Sequence, residues 1–281
     1  MPDNIRIKVA KASGIVEDLK PGKLMASLQR SGANRDTAKE IVDRVLHEVG
    51  PLTSTAKIYR LAKKYLKHYN HACSLRYSLK KALFRLGPTG YPFEKYFGEI
   101  LKNYGYEITV GNHLAGTCVD HEVDVIAIKD REVSVVECKY HNTTGKATDV
   151  KVAMYVHSRF RDIEPLFRTE HPDKKFRGWL VTNTRCTADA IQYAECSGFK
   201  VMGWRHPKEK SLEKMIEEKL LYPVTIATGI KQGLIKNLIS KNIILLRDLV
   251  DVKAEKIQSM LSLPKNKAVS LKNQADELCL S

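Results

Sequence analysis

The sequence lacks the features that mark membrane and secreted proteins. No run of about 18 apolar residues is present, and a helix needs such a run to cross a bilayer. The first eleven residues carry charges in place of the apolar core of a secretory signal. We therefore expect a cytoplasmic protein.

Two further absences exclude classes of function. None of the six cysteines stands in a C-x-x-C pair, which argues against a zinc ribbon and favours reduced thiols. The sequence contains no G-x-x-x-x-G-K-[ST] motif, so ATP-driven translocation by a P-loop motor is excluded. Any role of ATP should be regulatory.

Positive charge is abundant but unevenly distributed. Residues 1–90 contain 18 Lys and Arg against 7 Asp and Glu, whereas residues 91–210 contain 18 against 17. A basic surface attracts polyphosphates such as nucleic acids or nucleotides. Alternatively, the basic excess serves only to keep the protein soluble. The middle segment differs, because it concentrates the acidic groups that a cation-binding centre requires.

Apolar periodicity divides the 281 residues into three segments. Residues 1–88 predict a short strand, Ile5–Val9, a turn at Ala12–Gly14 and then helices. The first helices begin at Pro21 and at an Asn34 or Asp36 cap, and later ones begin at Thr53–Thr55 and run through Leu75 to Leu86. Residues 209–281 are helical throughout. Residues 89–208 alternate helices with strands, which predicts an α/β/α core around a mixed sheet.

The expected elements of the middle segment end in a strand–helix–strand unit, which implies a parallel pair with a right-handed crossover. In chain order they are a helix Pro92–Asn103, strands Glu107–Val110, Val123–Ile128 and Val133–Cys138, a helix from about 149 to 160, a strand 178–182, a helix Thr187–Cys196 and a strand Phe199–Trp204.

The hairpin that turns at Asp130-Arg131 carries the candidate active site. A symmetric tight turn pairs residues whose numbers sum to 261, so that Asp124 lies opposite Glu137. Opposed side chains of antiparallel strands share a face with Cβ atoms about 5 Å apart, and Lys139 falls on the same face. Two carboxylates so close beside apolar surface are costly unless a cation or proton bridges them. The alternative is an ordinary solvated hairpin.

Mg²⁺ (or Mn²⁺) suits this arrangement because it prefers oxygen ligands and keeps waters that a substrate phosphate can replace. The ion can polarise a phosphate and activate water, and Lys139 can orient that water or neutralise developing charge. Glu94, on the preceding amphipathic helix, can add a further carboxylate.

Residues 91–206 resemble the Mrr-like branch of the restriction endonuclease superfamily, of PD-(D/E)xK type, and are also similar to archaeal Holliday-junction resolvases. The motifs that carry the resemblance are Phe93-Glu94, Gly105-Tyr106, Gly116 to Val125, Glu137-Cys138-Lys139-Tyr140 and Thr182-Asn183-Thr184. The resemblance implies catalytic Glu94, Asp124, Glu137 and Lys139, with the metal at Asp124 and Glu137. Val123 stands where many members of the superfamily have proline.

Several polar side chains flank this motif, and two interpretations of them stay open. His121, Glu122 and His141 either assist at the site or are ordinary hydrogen-bonded or exposed groups. On the following helix, basic side chains either contact the DNA backbone or form a solvated face; they are Lys151, Arg159 and Arg161.

Residues 4–86 resemble the ATP-cone, a regulatory nucleotide-binding domain of ribonucleotide reductases. The matching stretches are Val9 to Gly14, Pro21 to Leu24 and Thr53-Ser54-Thr55. The resemblance implies that ATP or dATP is bound by Val9, Lys11, Glu17, Lys23 and Thr55. Lysines beside a helix start suit a triphosphate. The alternative is a basic helical domain that binds DNA.

Residues 224–281 faintly resemble helix–hairpin–helix DNA-binding modules, with the hairpin at Leu261 to Ala268 but without its glycines. A packing or dimerisation element is the other interpretation, and we expect a homodimer or higher homo-oligomer. Together the segments predict a Mg²⁺-dependent endonuclease of restriction type that hydrolyses phosphodiester bonds of double-stranded DNA and is regulated by ATP or dATP. A junction-specific repair nuclease and a non-catalytic nucleotide-responsive DNA-binding regulator are the alternatives.

Overall fold

The structure, a computed structural model, describes residues 7–11 and 14–280. Two compact units divide the chain, Met1–Leu79 and Lys80–Ser281, and each contains a hydrophobic core of its own. Within the described ranges, no helix combines the length and apolarity needed to span a membrane.

The first unit combines helices with a small sheet in the order β2-β1-β3, in which β1 is antiparallel to β2 and parallel to β3. The side chain of Asn34 caps the second helix and that of Ser54 caps the third, each accepting a backbone N–H three residues later. Its elements are β1 Lys8–Ala10, β2 Val16–Asp18, α1 Pro21–Arg30, α2 Arg35–Glu48, β3 Thr53–Ser54, α3 Thr55–Tyr69 and α4 His71–Arg76.

At two strands the structure of the first unit differs from the sequence predictions. The start of the expected first strand, Ile5–Arg6, and the turn residues Ala12–Ser13 lie outside the described residues. Thr53–Ser54, expected to open a helix, pairs with β1 as a strand instead, and the helix begins at Thr55. The strand Val16–Asp18 was not predicted, because three residues with one apolar side chain give no period-two signal.

The prediction of a single helix through Leu75 and Leu86 is wrong. α4 ends at Arg76, and α5 follows as a separate short helix, Leu79–Leu83. The chain turns between them at Tyr77, whose ring stacks on that of Tyr59 with centroids 5.1 Å apart. The leucine spacing continues across this turn, so the apolar period alone could not show the break.

The second unit is built on a mixed five-stranded sheet in the order β10-β8-β6-β5-β4, with parallel pairs at β10-β8 and β8-β6. The remaining neighbours are antiparallel. Its elements up to the last strand are α6 Tyr91–Asn103, β4 Glu107–Leu114, β5 His121–Lys129, β6 Glu132–Lys139, β7 Ala147–Thr148, α7 Val150–Glu170, β8 Lys175–Thr182, β9 Arg185–Cys186, α8 Ala188–Ser197 and β10 Lys200–Met202.

Helices cover both faces of this sheet, which confirms the expected α/β/α core. Gly98 of α6 approaches Ile108 and Val110 of β4 on one face. On the other face, α7 and α8 bury apolar side chains against β6, β8 and β10. Gly178 of β8 is required there, since a Cβ atom at this position would lie 2.2 Å from the ring of Phe160.

The last segment is helical, as expected, and its described residues form no strand. Hydrogen bonds attach it to the core of its unit: Tyr96 Oη donates to the carbonyl of Leu221 at 2.7 Å, and Arg85 donates to the carbonyls of Thr225 and Ile230 at 2.7 and 2.8 Å. Its elements are α9 Leu212–Glu218, a 3₁₀ turn Val224–Ile226, α10 Gln232–Ser240, a 3₁₀ turn Leu246–Leu249, α11 Ala254–Leu261 and α12 Lys265–Cys279.

Candidate active site

The β5–β6 hairpin has the predicted register. Paired residues run from Lys129 with Glu132 to Val125 with Val136, and every pair sums to 261. Beyond Val125 the two strands are joined by a side chain in place of a backbone pair: Oδ2 of Asp124 accepts the N–H of Cys138 at 2.6 Å. Asp124 and Glu137 therefore meet where the two strands stop exchanging backbone hydrogen bonds.

Three carboxylates converge at this end of the hairpin. Glu94 comes from the first turn of α6, Asp124 from β5 and Glu137 from β6. Burial raises the pKa of Glu94 to about 7, and the further causes are the negative charges of Asp124, Glu122 and Glu137. Burial, followed by the charge of Asp124, raises the pKa of Glu137 to about 7. Burial is the larger cause of both raised pKa values, and the neighbouring carboxylates add to it.

Two cations face these carboxylates. Lys139, exposed at the end of β6, lowers the pKa of Glu137 and Asp124, which partly opposes the effect of burial. Arg159 of α7 donates a hydrogen bond to Oε2 of Glu137, a second to Oη of Tyr155 at 2.5 Å and a third to the carbonyl of Glu122 at 3.2 Å. Arg159, for which the sequence left open a DNA contact or a solvated face, instead lies among the carboxylates.

Comparison with known proteins shows the family to which this chain belongs. Residues 88–202 match the restriction endonuclease family model, and residues 222–279 match the family described as AF1548-like, C-terminal. An uncharacterised protein of Archaeoglobus fulgidus is 34% identical over 161 residues, which are 57% of this chain and 87% of that protein. The chain belongs to the AF1548-like family.

A solved structure of the AF1548-like family supports the same fold. The crystal structure of a protein of unknown function, AF1548, is 31% identical and superposes with a TM-score of 0.57, covering 68% of this chain and 98% of that one. The restriction endonuclease match implies a nuclease, which is a hydrolase. Both matched segments follow residue 87, so the ATP-cone interpretation of the first residues stays a prediction.

The donor chemistry of this AF1548-like site fits Mg²⁺. No three His, Cys, Asp or Glu side chains form a ready-made metal cage in the part of the chain that the structure describes. Mg²⁺ does not need one, because it binds through one or two carboxylates and keeps several waters. Asp124 and Glu137 supply those two carboxylates, and burial raises the pKa of both although Arg159 and Lys139 lower it.

The flanking histidines have structural partners. His121 Nε2 lies 2.8 Å from Oδ2 of Asp162, whose Oδ1 accepts the N–H of Cys118 at 2.9 Å. His141 Nε2 lies 3.0 Å from Oγ1 of Thr148, and its backbone exchanges two hydrogen bonds with the side chain of Asn183. These contacts hold the loops on either side of the hairpin.

Asp162 was missed by the sequence reasoning. It lies on α7, distant in sequence from the β4–β5 loop that it holds, and no local motif marks it. Hydrogen bonds from His121, Cys118 and Val119 lower the pKa of Asp162 to about 2. The loop that leads into Asp124 is thus anchored by a carboxylate that stays ionised.

The side chains expected to bind a nucleotide lie in the first unit. Lys11 and Glu17 form an ion pair at 2.6 Å beside the β1–β2 pair, and Val9 is buried in β1. Lys11, Lys23 and Lys20 all lower the pKa of Glu17, with the hydrogen bond from Lys11 as the largest cause. Thr55, by contrast, lies at the start of α3, where Ser54 provides the cap.

Proposed function

We propose that the chain is a Mg²⁺-dependent DNA endonuclease of restriction type. The supporting observation is the convergence of Glu94, Asp124 and Glu137 at the open end of a hairpin, with Lys139 beside them. This group lies within the segment that matches the restriction endonuclease family. Asp124 and Glu137 hold the metal ion, and Mn²⁺ can replace Mg²⁺.

Each side chain has a role that follows from its surroundings. The bound ion supplies Lewis acidity towards the scissile phosphate and lowers the pKa of a water. The N–H of Cys138 fixes Asp124, so this carboxylate is positioned before any ligand arrives. Lys139, exposed beside Asp124 and Glu137, orients the attacking water or neutralises charge on the phosphate. Glu94 adds a carboxylate from the first turn of α6.

Cleavage of supercoiled plasmid with Mg²⁺ or Mn²⁺ tests the proposal. We expect nicking by the wild type and none by Lys139→Ala, while Lys102→Ala, an exposed lysine in the last turn of α6, keeps its activity. Asp124→Ala should abolish cutting and leave DNA binding intact. A preference for four-way junctions over plasmid would identify a repair nuclease. If unmodified, methylated and branched DNA all stay uncut, the chain is a non-catalytic DNA-binding protein.

The first unit is proposed to bind ATP or dATP as a regulatory ligand. Three lysines act on Glu17, so a triphosphate would meet concentrated positive charge next to β1. Lys11 must then exchange its ion pair with Glu17 for the phosphates. Lys11 and Lys23 are the principal phosphate contacts, and Val9, Glu17 and Thr55 complete the site.

Calorimetric titration with ATP and with dATP tests this site. We expect Lys23→Ala to weaken binding strongly, and Lys39→Ala, an exposed lysine on α2, to leave it unchanged. The cleavage assay with and without ATP then measures regulation. Binding of DNA but not of nucleotide by the first unit's lysines would favour the basic DNA-binding alternative.

The C-terminal helices are proposed to contact the DNA backbone. Ser262, at φ 51°, provides the left-handed turn between α11 and α12 that glycine often provides. Lys265 and Lys267 follow at the start of α12. Replacing both with alanine should weaken DNA binding uniformly and reduce its salt dependence. An unchanged affinity together with loss of a homodimer, measured by light scattering, would favour the dimerisation alternative.

A further inference from the structure

We propose that Arg159 is a displaceable positioning residue: it neutralises Glu137 while the site is metal-free, and it turns to a DNA phosphate once Glu137 binds a divalent ion. The inference rests on the proposed function, because it requires a metal site at Asp124 and Glu137. It adds a residue that the expected set of Glu94, Asp124, Glu137 and Lys139 does not contain.

The contacts of Arg159 show that it compensates the charge of Glu137. Its guanidinium donates to Oε2 of Glu137, and the side chains of Arg159 and Glu137 are only 15% and 18% exposed. Buried carboxylates need a partner, since an unpaired buried charge is strongly unfavourable. An arginine does not lose its proton in proteins. Arg159 can therefore stop compensating Glu137 only by moving.

A divalent ion on Glu137 gives Arg159 a reason to move. Two cations on one carboxylate repel each other, and the repulsion is strong where water is largely excluded. The hydrogen bonding of Arg159 is also incomplete, because its Nε–H is buried without a hydrogen-bond partner within the described structure. A move towards solvent would let this Nε–H bond to water or to a phosphate.

Tyr155 provides the point about which Arg159 can turn. The guanidinium carbon lies 5.1 Å from the centroid of the Tyr155 ring, and the phenol oxygen accepts a hydrogen bond from Nη2. Tyr155 is 59% exposed, one turn before Arg159 on α7. A guanidinium that keeps this contact and leaves Glu137 faces the solvent side of the site. Its planar fork is suited to a phosphate.

Metal titration of the DNA-free protein tests the first half of the inference. Calorimetry with Mn²⁺ compares the wild type with Arg159→Gln and with Arg161→Gln, a neighbouring exposed arginine on the same helix. We expect Arg159→Gln to bind Mn²⁺ about tenfold or more tightly than wild type, since a close charge pair no longer competes. Arg161→Gln should bind like wild type.

DNA binding in Ca²⁺, followed by fluorescence anisotropy at several salt concentrations, tests the second half. With metal, Arg159→Gln should bind more weakly and its log-log salt slope should fall by about 0.9, the value for one phosphate contact. Without metal, wild type and Arg159→Gln should bind alike. If Arg159→Gln does not fold, Arg159→Lys replaces it, and its metal affinity should lie above that of wild type.

The outcomes separate this inference from the proposed function. Weaker or unchanged Mn²⁺ binding by the Arg159 variants would show that the arginine supports Glu137 permanently, and the inference would be wrong while the nuclease proposal stands. An unchanged salt slope in Ca²⁺ would remove the phosphate contact. No Mn²⁺ binding by the wild type would overturn both proposals.

Discussion

Replacing Glu94 by glutamine removes one negative charge from the crowded site and keeps the shape of the side chain. The pKa of Glu94 is raised from its ordinary value of 4.5 to about 7, first by burial and then by Asp124, Glu122 and Glu137. The folded protein therefore binds a proton at Glu94 more readily than the unfolded chain does. Its stability falls as pH rises from about 4.5 to about 7.

The size of this effect follows from the shift. One pKa unit corresponds to about 1.4 kcal/mol, so the full shift is worth about 3 kcal/mol, and screening at a half-buried carboxyl reduces it to about 2 kcal/mol. Without metal, Glu94→Gln should be more stable than wild type by that amount at pH 8. Near pH 4 the two proteins should have the same free energy of unfolding.

Denaturant unfolding in EDTA, followed by tryptophan fluorescence, is the measurement. Trp179 and Trp204 are the two tryptophans of the sequence, and both belong to the second unit, so the signal reports the unit that contains Glu94. Glu195→Gln, an exposed glutamate on α8, is the charge-matched control and should not give this gain in stability. Equal pH profiles for wild type and Glu94→Gln would refute the convergence of carboxylates around Glu94.

Three further changes test the structure around the site. Gly178→Ala should lower the free energy of unfolding by about 1–3 kcal/mol, because its Cβ overlaps Phe160; Gly233→Ala, whose Cβ meets no atom within 4 Å, should not lower it in the same denaturation experiment. Asp162→Asn should loosen the β4–β5 loop, and amide exchange at Cys118 and Val119 should become faster. The wild type should lose stability as pH falls from 4 to about 2, because Asp162 becomes protonated, and Asp162→Asn should not show this loss. Arg85→Met should raise amide exchange in residues 222–279 while that of β6 stays slow, because the carbonyls of Thr225, Ala227 and Ile230 lose their donor.

The core of the second unit could be predicted because its signals are local. The hairpin register follows from the position of the turn at Asp130, which adopts φ 55°. The parallel pair of β8 and β10 follows from a strand–helix–strand pattern whose helix is capped by Thr187. In both cases the decisive residues are close in sequence, so period and turn chemistry were sufficient.

The parts that could not be predicted depend on contacts between distant residues. α7 extends to Glu170, ten residues beyond the expected end, because Ile163 and Phe167 still face the core and Pro165 does not end the helix. Asp162 and Arg159 gain their roles only after α7 packs on the sheet. A single sequence gives no signal that pairs Arg159 with Glu137, 22 residues earlier.

The charges at the site explain why its features occur together. After burial, the charges of Asp124, Glu122 and Glu137 raise the pKa of Glu94, and the charge of Asp124 raises that of Glu137. Arg159 and Lys139 are the cations that lower the pKa of Asp124 and of Glu137. With all six groups ionised, the formal charge is −2, which one divalent cation would balance. Without that ion, protonation of Glu94 and the Arg159 contact relieve the repulsion, and both would become unnecessary when Mg²⁺ binds. Because the pKa of Glu94 is about 7, Mn²⁺ titration should show proton release with binding at pH 6 and little release at pH 8.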